Sequence, residues 1–342
     1  MKTVKVCVAG MGFMGATHIK SYLKIPGATV AAICDPVRLP VNGELSGAAG
    51  NVGDGKPLRL DMTTVKAYSK FDDLLADPAI DLIDLCVPTP EHHPLCLAAL
   101  KAGKHVICEK PMARTSAQCR EIVAVAAKAK SFFMPAMVMR FWPEWSWLKE
   151  DIARQTYGPA LAARFRRVSS PPGWSRASYL KGEHSGGALL DLHIHDTDFV
   201  QFCFGRPHAV FSVGATALSG AIDHVVTSYQ VAGGIPVTAE ASWLMTEGFG
   251  FKMEYTINFE KATADYDSSR GPDALKLYVD GEKPRVISCA AEDGYDRELR
   301  HMIESIQREI PPALVTAADG LSAVEICEAE EKSVKTGLIV TL

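Results

Sequence analysis

No apolar run in this chain approaches the roughly 20 residues of a membrane-spanning helix, so no span is expected. Positive charge is not in excess. The 36 Lys and Arg against 40 Asp and Glu leave a formal charge of −4, which gives no footprint for nucleic acid or anionic lipid. Nine cysteines, an odd number without a C-x-x-C pair, argue against a disulfide framework or a thiolate metal site. Cys7, Cys34, Cys86 and Cys108 fall inside apolar segments, where thiols act as small buried hydrophobes. A reducing, cytoplasmic setting is expected. Internal repeats and low-complexity tracts are absent, and the N-terminus runs into a strand pattern rather than a leader peptide. With 342 residues the chain is too long for one typical core, which predicts two domains.

What the chain does have begins at its start. The apolar run Val4–Ala9 leads directly into Gly10-Met11-Gly12-Phe13-Met14-Gly15, a buried parallel strand feeding a G-x-G-x-x-G turn. Gly10 permits the tight turn, Gly12 lets backbone N–H groups approach a pyrophosphate, and Gly15 lets the next helix sit close to the sheet. A helix over Met14–Lys24 presents its N-terminus, with Phe13 and Met14, to the phosphates. Pro26-Gly27 ends it, and a second apolar run from Thr29 to Cys34 stops at Asp35. That acid lies about twenty residues past the last glycine, where it can accept from an adenosine ribose. The pattern predicts a bound NAD, since a carboxylate repels a 2′-phosphate; Arg38 three residues on keeps NADP open. The competing reading is an α/β turn that binds no dinucleotide.

Strands and helices alternate through the first third, which implies a doubly wound parallel sheet. Pro36–Lys56 reads as a loop, Asp81–Val87 and His105–Cys108 as further buried strands, and Glu91–Lys101 as a helix. Another helix starts at Thr115 with a capping box to Gln118 and runs to about Lys130. Beyond it the texture changes to aromatics and long alternating strands. Phe251–Phe259 switches apolar and polar without a break, as in an antiparallel sheet with one covered face. The expected division is 1–130 for the nucleotide domain and 131–342 for an α+β substrate and oligomerisation domain, with late helices over Tyr295–Glu309 and Leu321–Lys335.

Two motifs can carry chemistry. Glu109-Lys110-Pro111 sits at the carboxyl end of a parallel strand, the edge that faces the ligand crevice in open α/β sheets. A lysine there can hold a hydroxyl or alkoxide oxygen, and Pro111 fixes the backbone that aims it; the plainer reading is a solvated strand-end lysine. The second motif runs from Gly186-Gly187 through Asp191-Leu192-His193-Ile194-His195 to Asp198, with a helix expected to end at Gly205. On a helix Asp191 and His195 share one face while His193 points elsewhere. An imidazole beside a carboxylate is a general base near working pH, against the alternative of a capping acid and a structural histidine. A metal site over Asp191, His193, His195 and Asp198 is disfavoured, because His-x-His does not chelate from a helix. His92 and His93, after Pro88-Thr89-Pro90, could cap a helix or line the cofactor crevice.

Together these motifs resemble the glucose–fructose oxidoreductase, inositol dehydrogenase and rhizopine-catabolism (Gfo/Idh/MocA) family of NAD(P)-dependent sugar and polyol oxidoreductases. The likeness rests on the glycine turn, Pro88-Thr89-x-x-His92, Ala102–Val106 running into Glu109-Lys110-Pro111, Arg140-Phe141, and Gly186-Gly187 through Asp191-x-x-x-His195-x-x-Asp198. It implies a Rossmann domain joined to a large open-faced, mixed but mainly antiparallel sheet that pairs subunits into homodimers or homotetramers. Gly10, Gly12, Phe13, Met14, Gly15, Asp35, Pro88, Thr89, His92, Glu109 and Lys110 would contact the cofactor. Lys110 would hold the reacting hydroxyl, His195 would exchange its proton, and Asp191 would orient both. Arg140, Trp142, Arg164, Arg166 and Trp174 are further candidates for the substrate pocket. His193 departs from the small residue common between the Asp and the His. The implied reaction is hydride transfer between the nicotinamide and a hydroxyl-bearing carbon of a sugar, polyol or cyclic alcohol. An NAD-dependent glycosidase and a non-catalytic sensor are the alternatives.

Overall fold

The computed structural model describes residues 2–40, 42–45, 50, 57–172 and 179–342. The chain forms two compact units: Met1–Val138 with Gly294–Leu321, and Met139–Asp293 with Ser322–Leu342.

The first unit is built on strands β1 (Val4–Ala9), β2 (Ala28–Cys34), β5 (Lys66–Tyr68), β6 (Leu82–Leu85), β7 (His105–Glu109) and β8 (Phe133–Ala136), with a separate hairpin of β3 (Glu44–Leu45) and β4 (Leu58–Arg59). The six strands pair in parallel in the order β5-β2-β1-β6-β7-β8. Val6, Cys7, Val8, Leu82, Ile83, Val106 and Ile107 are fully buried, because helices cover both faces of such a sheet. The chain runs outward one way through β2 and the other way through β6. The order therefore reverses between β1 and β6, which opens a crevice at their carboxyl ends. The hairpin brings some regular structure to the end of the segment read as a loop; residues 41, 46–49 and 51–56 of that segment lie outside the described residues.

The helix Gly294–Arg308 returns to this unit, although the sequence reading assigned it to the second domain. It buries Leu299, Met302 and Ile303. It lies beside the helix Phe13–Tyr22, with Lys24 Nζ 2.9 Å from Asp296 and Gln307 Nε2 donating to the Gly27 carbonyl at 3.3 Å. Amphipathic spacing shows that a helix has an apolar face, not which distant surface covers it.

The second unit carries β9 (Ala160–Ser169), β10 (Ala209–Ala215), β11 (His224–Gln230), β12 (Pro236–Ser242), β13 (Phe251–Phe259), β14 (Ala262–Asp267), β15 (Leu275–Val279), β16 (Arg285–Val286) and β17 (Val340–Thr341). They form one sheet in the order β16-β15-β14-β13-β9-β12-β11-β10-β17, antiparallel except where β9 meets β12. Ala163, Phe165 and Arg167 of β9 face the covered side, and Arg164 and Arg166 face the open one. The covered side holds an aromatic core: Trp145 stands 5.8, 4.8, 5.3 and 6.1 Å from the rings of Phe165, Phe199, Tyr255 and Tyr266. Phe199 lies on the helix Ile194–Phe204, so this core fixes that helix to the sheet.

Candidate functional site

The glycine turn is shaped by close approach. Gly10 has φ +99°, and a Cβ there would lie 2.4 Å from the Cys86 carbonyl oxygen across the β1–β6 crevice. A Cβ on Gly15 would lie 1.8 Å from the Gly10 carbonyl oxygen, so helix and turn can touch only if both residues are glycine. Gly12 has nothing within 4 Å of its missing side chain, and no side chain caps the helix Phe13–Tyr22. Gly12, Phe13 and Met14 are partly open there. An uncapped helix N-terminus above a bare glycine is an anion cradle, which fits a dinucleotide pyrophosphate. The Asp35 carboxylate accepts from Met11 N at 2.8 Å, Val37 N at 2.8 Å and Arg38 N at 2.7 Å. It ties the turn to the end of β2, leaving about one of its four acceptor sites for a ribose hydroxyl. Pro88 and Thr89 stand at the start of the helix Thr89–Lys101, across the crevice from Gly10.

Lys110 follows β7, partly open between the buried Glu109 and Pro111. Two residues expected to contact cofactor prove to lie behind it. His92 is 1% exposed, with Nδ1 2.7 Å from the Pro111 carbonyl and Nε2 2.9 Å from the Val87 carbonyl. Burial holds its pKa below the ordinary histidine range, and it fastens the ends of β6 and β7 to each other instead of lining the crevice. Glu109 turns inward as well: one oxygen accepts the Lys110 N–H at 3.0 Å and the other stands 3.1 Å from His18 Nε2. His93 lies on the outer side, 3.1 Å from Glu121.

His18 and Asp84 were missed by the sequence reading. His18 Nδ1 lies 2.8 Å from Asp84 Oδ2, and both side chains are inaccessible to solvent. Burial lowers an imidazole pKa, but the Asp84 charge, the Cys86 sulfur 3.3 Å away and their hydrogen bonds overturn that, leaving His18 well above its ordinary value. For Glu109, burial raises the pKa, and His18 beside it together with Lys110 brings it below the usual carboxylate range. The signal was present: an acid in the middle of the apolar run Leu82-Ile83-Asp84-Leu85 demands a partner. The 2.8 Å Nδ1–Oδ2 spacing marks a shared proton, since ligands around a zinc-sized ion stand farther apart, roughly 3.3 Å or more.

In the second unit the glycine pair is followed by a π turn, Leu189–His193, which continues as the helix Ile194–Phe204 and stops at Gly205. Between Ser185 and Gln201 every residue is buried except Asp191 and His195. The same segment is anchored on its other sides. Asp196 takes a bidentate pair from Arg167 at 3.0 and 3.1 Å on the sheet's covered face. Asp198 takes another from Arg140 at 2.8 and 2.7 Å. His193 is fully buried, with Nε2 3.1 Å from the Tyr229 hydroxyl, 3.2 Å from Thr227 Oγ1 and 3.3 Å from Glu330 Oε1. Thr197, one turn on, reaches the same tyrosine at 3.0 Å. The residue that departs from the family pattern is thus part of an internal polar cluster.

Three pocket candidates change. Arg140 is 4% exposed and fully engaged by Asp198 along both edges of a carboxylate, so it holds the helix rather than meeting a substrate. Arg164 projects from the open face of the sheet, 3.8 Å from Glu240, with the sheet between it and the helix bearing His195; strand alternation decides this, and one residue of register sets the face. Arg166 shares that open face. Trp174 lies outside the described residues.

The "Oxidoreductase family, NAD-binding Rossmann fold" profile matches residues 4–137, and the GFO/IDH/MocA C-terminal domain profile matches residues 145–265. The chain is 33% identical over 178 residues to trans-1,2-dihydrobenzene-1,2-diol dehydrogenase of Mus musculus. That match covers 50% of this chain and 51% of the mouse protein, about half the length of each. It is 27% identical to inositol 2-dehydrogenase of Streptomyces avermitilis, over 97% of this chain and 92% of that one. The fold is similar to the solved structure of a levoglucosan dehydrogenase in complex with NADH and levoglucosan, with TM-score 0.84, 20% identity and 99% of both chains covered. No described helix is long and apolar enough to cross a membrane. The glycine cradle, the parallel sheet that holds it and the matched profiles agree: this chain belongs to the GFO/IDH/MocA family of NAD-binding oxidoreductases.

Proposed function

We propose that the protein oxidises a secondary hydroxyl of a sugar, polyol or related cyclic alcohol, or reduces the matching carbonyl, with His195 as the acid–base group and Lys110 holding the reacting oxygen. The observation that carries this reading is selective exposure: in the buried stretch around the π turn only Asp191 and His195 open outward, and Lys110 does so at the end of β7. Backbone N–H groups at Gly12, Phe13 and Met14 would hold the pyrophosphate, and Asp35 a ribose hydroxyl. When bound, NAD supplies the two-electron acceptor. The protein's task is then the proton and the oxygen. His195 takes the hydroxyl proton, the Lys110 ammonium stabilises the alkoxide as it develops, and Asp191 orients the imidazole and the neighbouring hydroxyls. In the reverse direction His195 returns the proton. The open face of the nine-stranded sheet, which exposes Phe211 and Val213 beside its charged rows, would pair with a second copy of the chain.

A screen of sugars, inositols, anhydrosugars and sugar acids with NAD, followed by nicotinamide absorbance, tests the reading. Net NADH formation with at least one of them is expected. Lys110→Met and His195→Asn should each lower kcat on that substrate by about 10²–10⁴-fold with NADH affinity little changed. Glycoside cleavage without net NADH would replace the reading with a glycosidase, and full turnover in both variants would remove the assignments.

A further inference from the structure

Lys110 stands at the end of a chain of buried contacts that the mechanism above does not use. From the interior outward they run Asp84 Oδ2 to His18 Nδ1 at 2.8 Å, His18 Nε2 to Glu109 Oε1 at 3.1 Å, and Glu109 Oε2 to the Lys110 N–H at 3.0 Å. His18 Nδ1 is hydrogen-bonded to Asp84, and Nε2 lies at ion-pair distance from Glu109 without hydrogen-bond geometry. Ionised carboxylates only accept, so the arrangement is satisfied when both nitrogens carry hydrogen. Removing that proton turns a lone pair onto one carboxylate in a site without solvent, and the contact it opposes must loosen.

We propose that the Asp84–His18–Glu109 chain is a positioning relay for Lys110, in which the imidazolium of His18 pins the Glu109 carboxylate and thereby sets the strand end that carries the ammonium. His18 is a positioning residue here and touches neither substrate nor cofactor. The groups around it come from every packed element. Tyr22 shares its helix, Asp84 and Cys86 come from β6 and its end, and Glu109 and Lys110 come from β7 and its end. Tyr295 comes from the returning helix, its ring 5.8 Å away. Burial opposes the cation, and of these groups Asp84 and Cys86 favour it. The relay rests on the assignment of Lys110 made above.

The test uses the whole chain saturated with NADH and needs no substrate. Histidine is labelled with ¹⁵N, and lysines are reductively ¹³C-methylated, with the Lys110 signal assigned by its loss in Lys110→Met. His18 is expected to keep both nitrogens protonated at pH 7 and to titrate above the ordinary histidine range. The Lys110 signal should show a step at the same midpoint. In His18→Gln and Glu109→Gln that step should vanish. The double variant should shift Lys110 no further than Glu109→Gln alone, because contacts in series do not add. A His18 that is singly protonated at pH 7, or a wild-type Lys110 signal with no step at the His18 midpoint, overturns the relay, and the wild-type measurement stands even if the variants do not fold. Full turnover by Lys110→Met removes the reading beneath it instead. Lost turnover without a shared step removes the relay alone.

Discussion

Arg166 and Arg167 are neighbours in sequence and opposites in setting. Arg167 points to the covered face of the nine-stranded sheet, where Asp196 meets it edge to edge and neither side chain is more than 3% exposed. Arg166 points to the open face, in register with Glu240 of β12 on one side and Glu254 of β13 on the other, at 3.0 and 3.1 Å. The two residues make the same kind of bond for different reasons. On the covered face an unpaired charge has no water to turn to, so the pair is obligatory and locks the helix carrying His195 to β9. On the open face water competes, and the row of alternating charge serves register more than strength.

The comparison breaks most visibly at Arg167. Arg167→Met leaves the Asp196 carboxylate buried and unpaired, and should cost about 3–5 kcal/mol in urea denaturation. A loss below about 1 kcal/mol would show that the helix is held by its aromatic contacts alone. The first unit offers an intermediate effect through His18. Its pKa is raised in the folded state, so its stabilisation is complete below the unfolded value of about 6.5 and is lost as pH rises through the folded one. Glu109 is shifted the other way, and its contribution is present above about 4.3 and lost as pH falls through the folded value. The urea midpoint should therefore decline on the alkaline side, and His18→Gln should flatten that decline; an unchanged alkaline slope would place the loss elsewhere. The smallest effect belongs to Arg166→Met, about 1 kcal/mol or less in the isolated protomer, checked in the same titration.

Much of this was legible in the sequence where local chemistry determines the outcome. The glycine turn has a geometry few other residues tolerate, so Gly10, Gly15 and Asp35 could be read directly. The Thr115 cap to Gln118 is local in the same sense and forms at 3.3 Å. Spacing along a helix also singled out Asp191 and His195, which the structure leaves partly open in an otherwise buried stretch. What spacing could not decide was the far partner. Arg140 looked like a pocket residue until Asp198 claimed it, Arg164 until strand alternation turned it to the open face, and His92 and Glu109 until two carbonyls and His18 drew them inward. Each depends on a group 19 to 91 positions away in the chain, as His92 to Pro111 and Glu109 to His18 show. β15 and β16, at the sheet margin, carry five and two residues, too few alternating positions to stand out.

The π turn at Leu189–His193 has a consequence for how this protein can diverge. Such a turn holds one residue more than the α-helix would place there, and each helical residue carries about 100° of rotation. Losing a single residue between the glycine pair and Asp191 would remove that extra residue and shorten the link that sets where Asp191 and His195 stand relative to the glycine pair. The length of this stretch is therefore held as tightly as its chemistry.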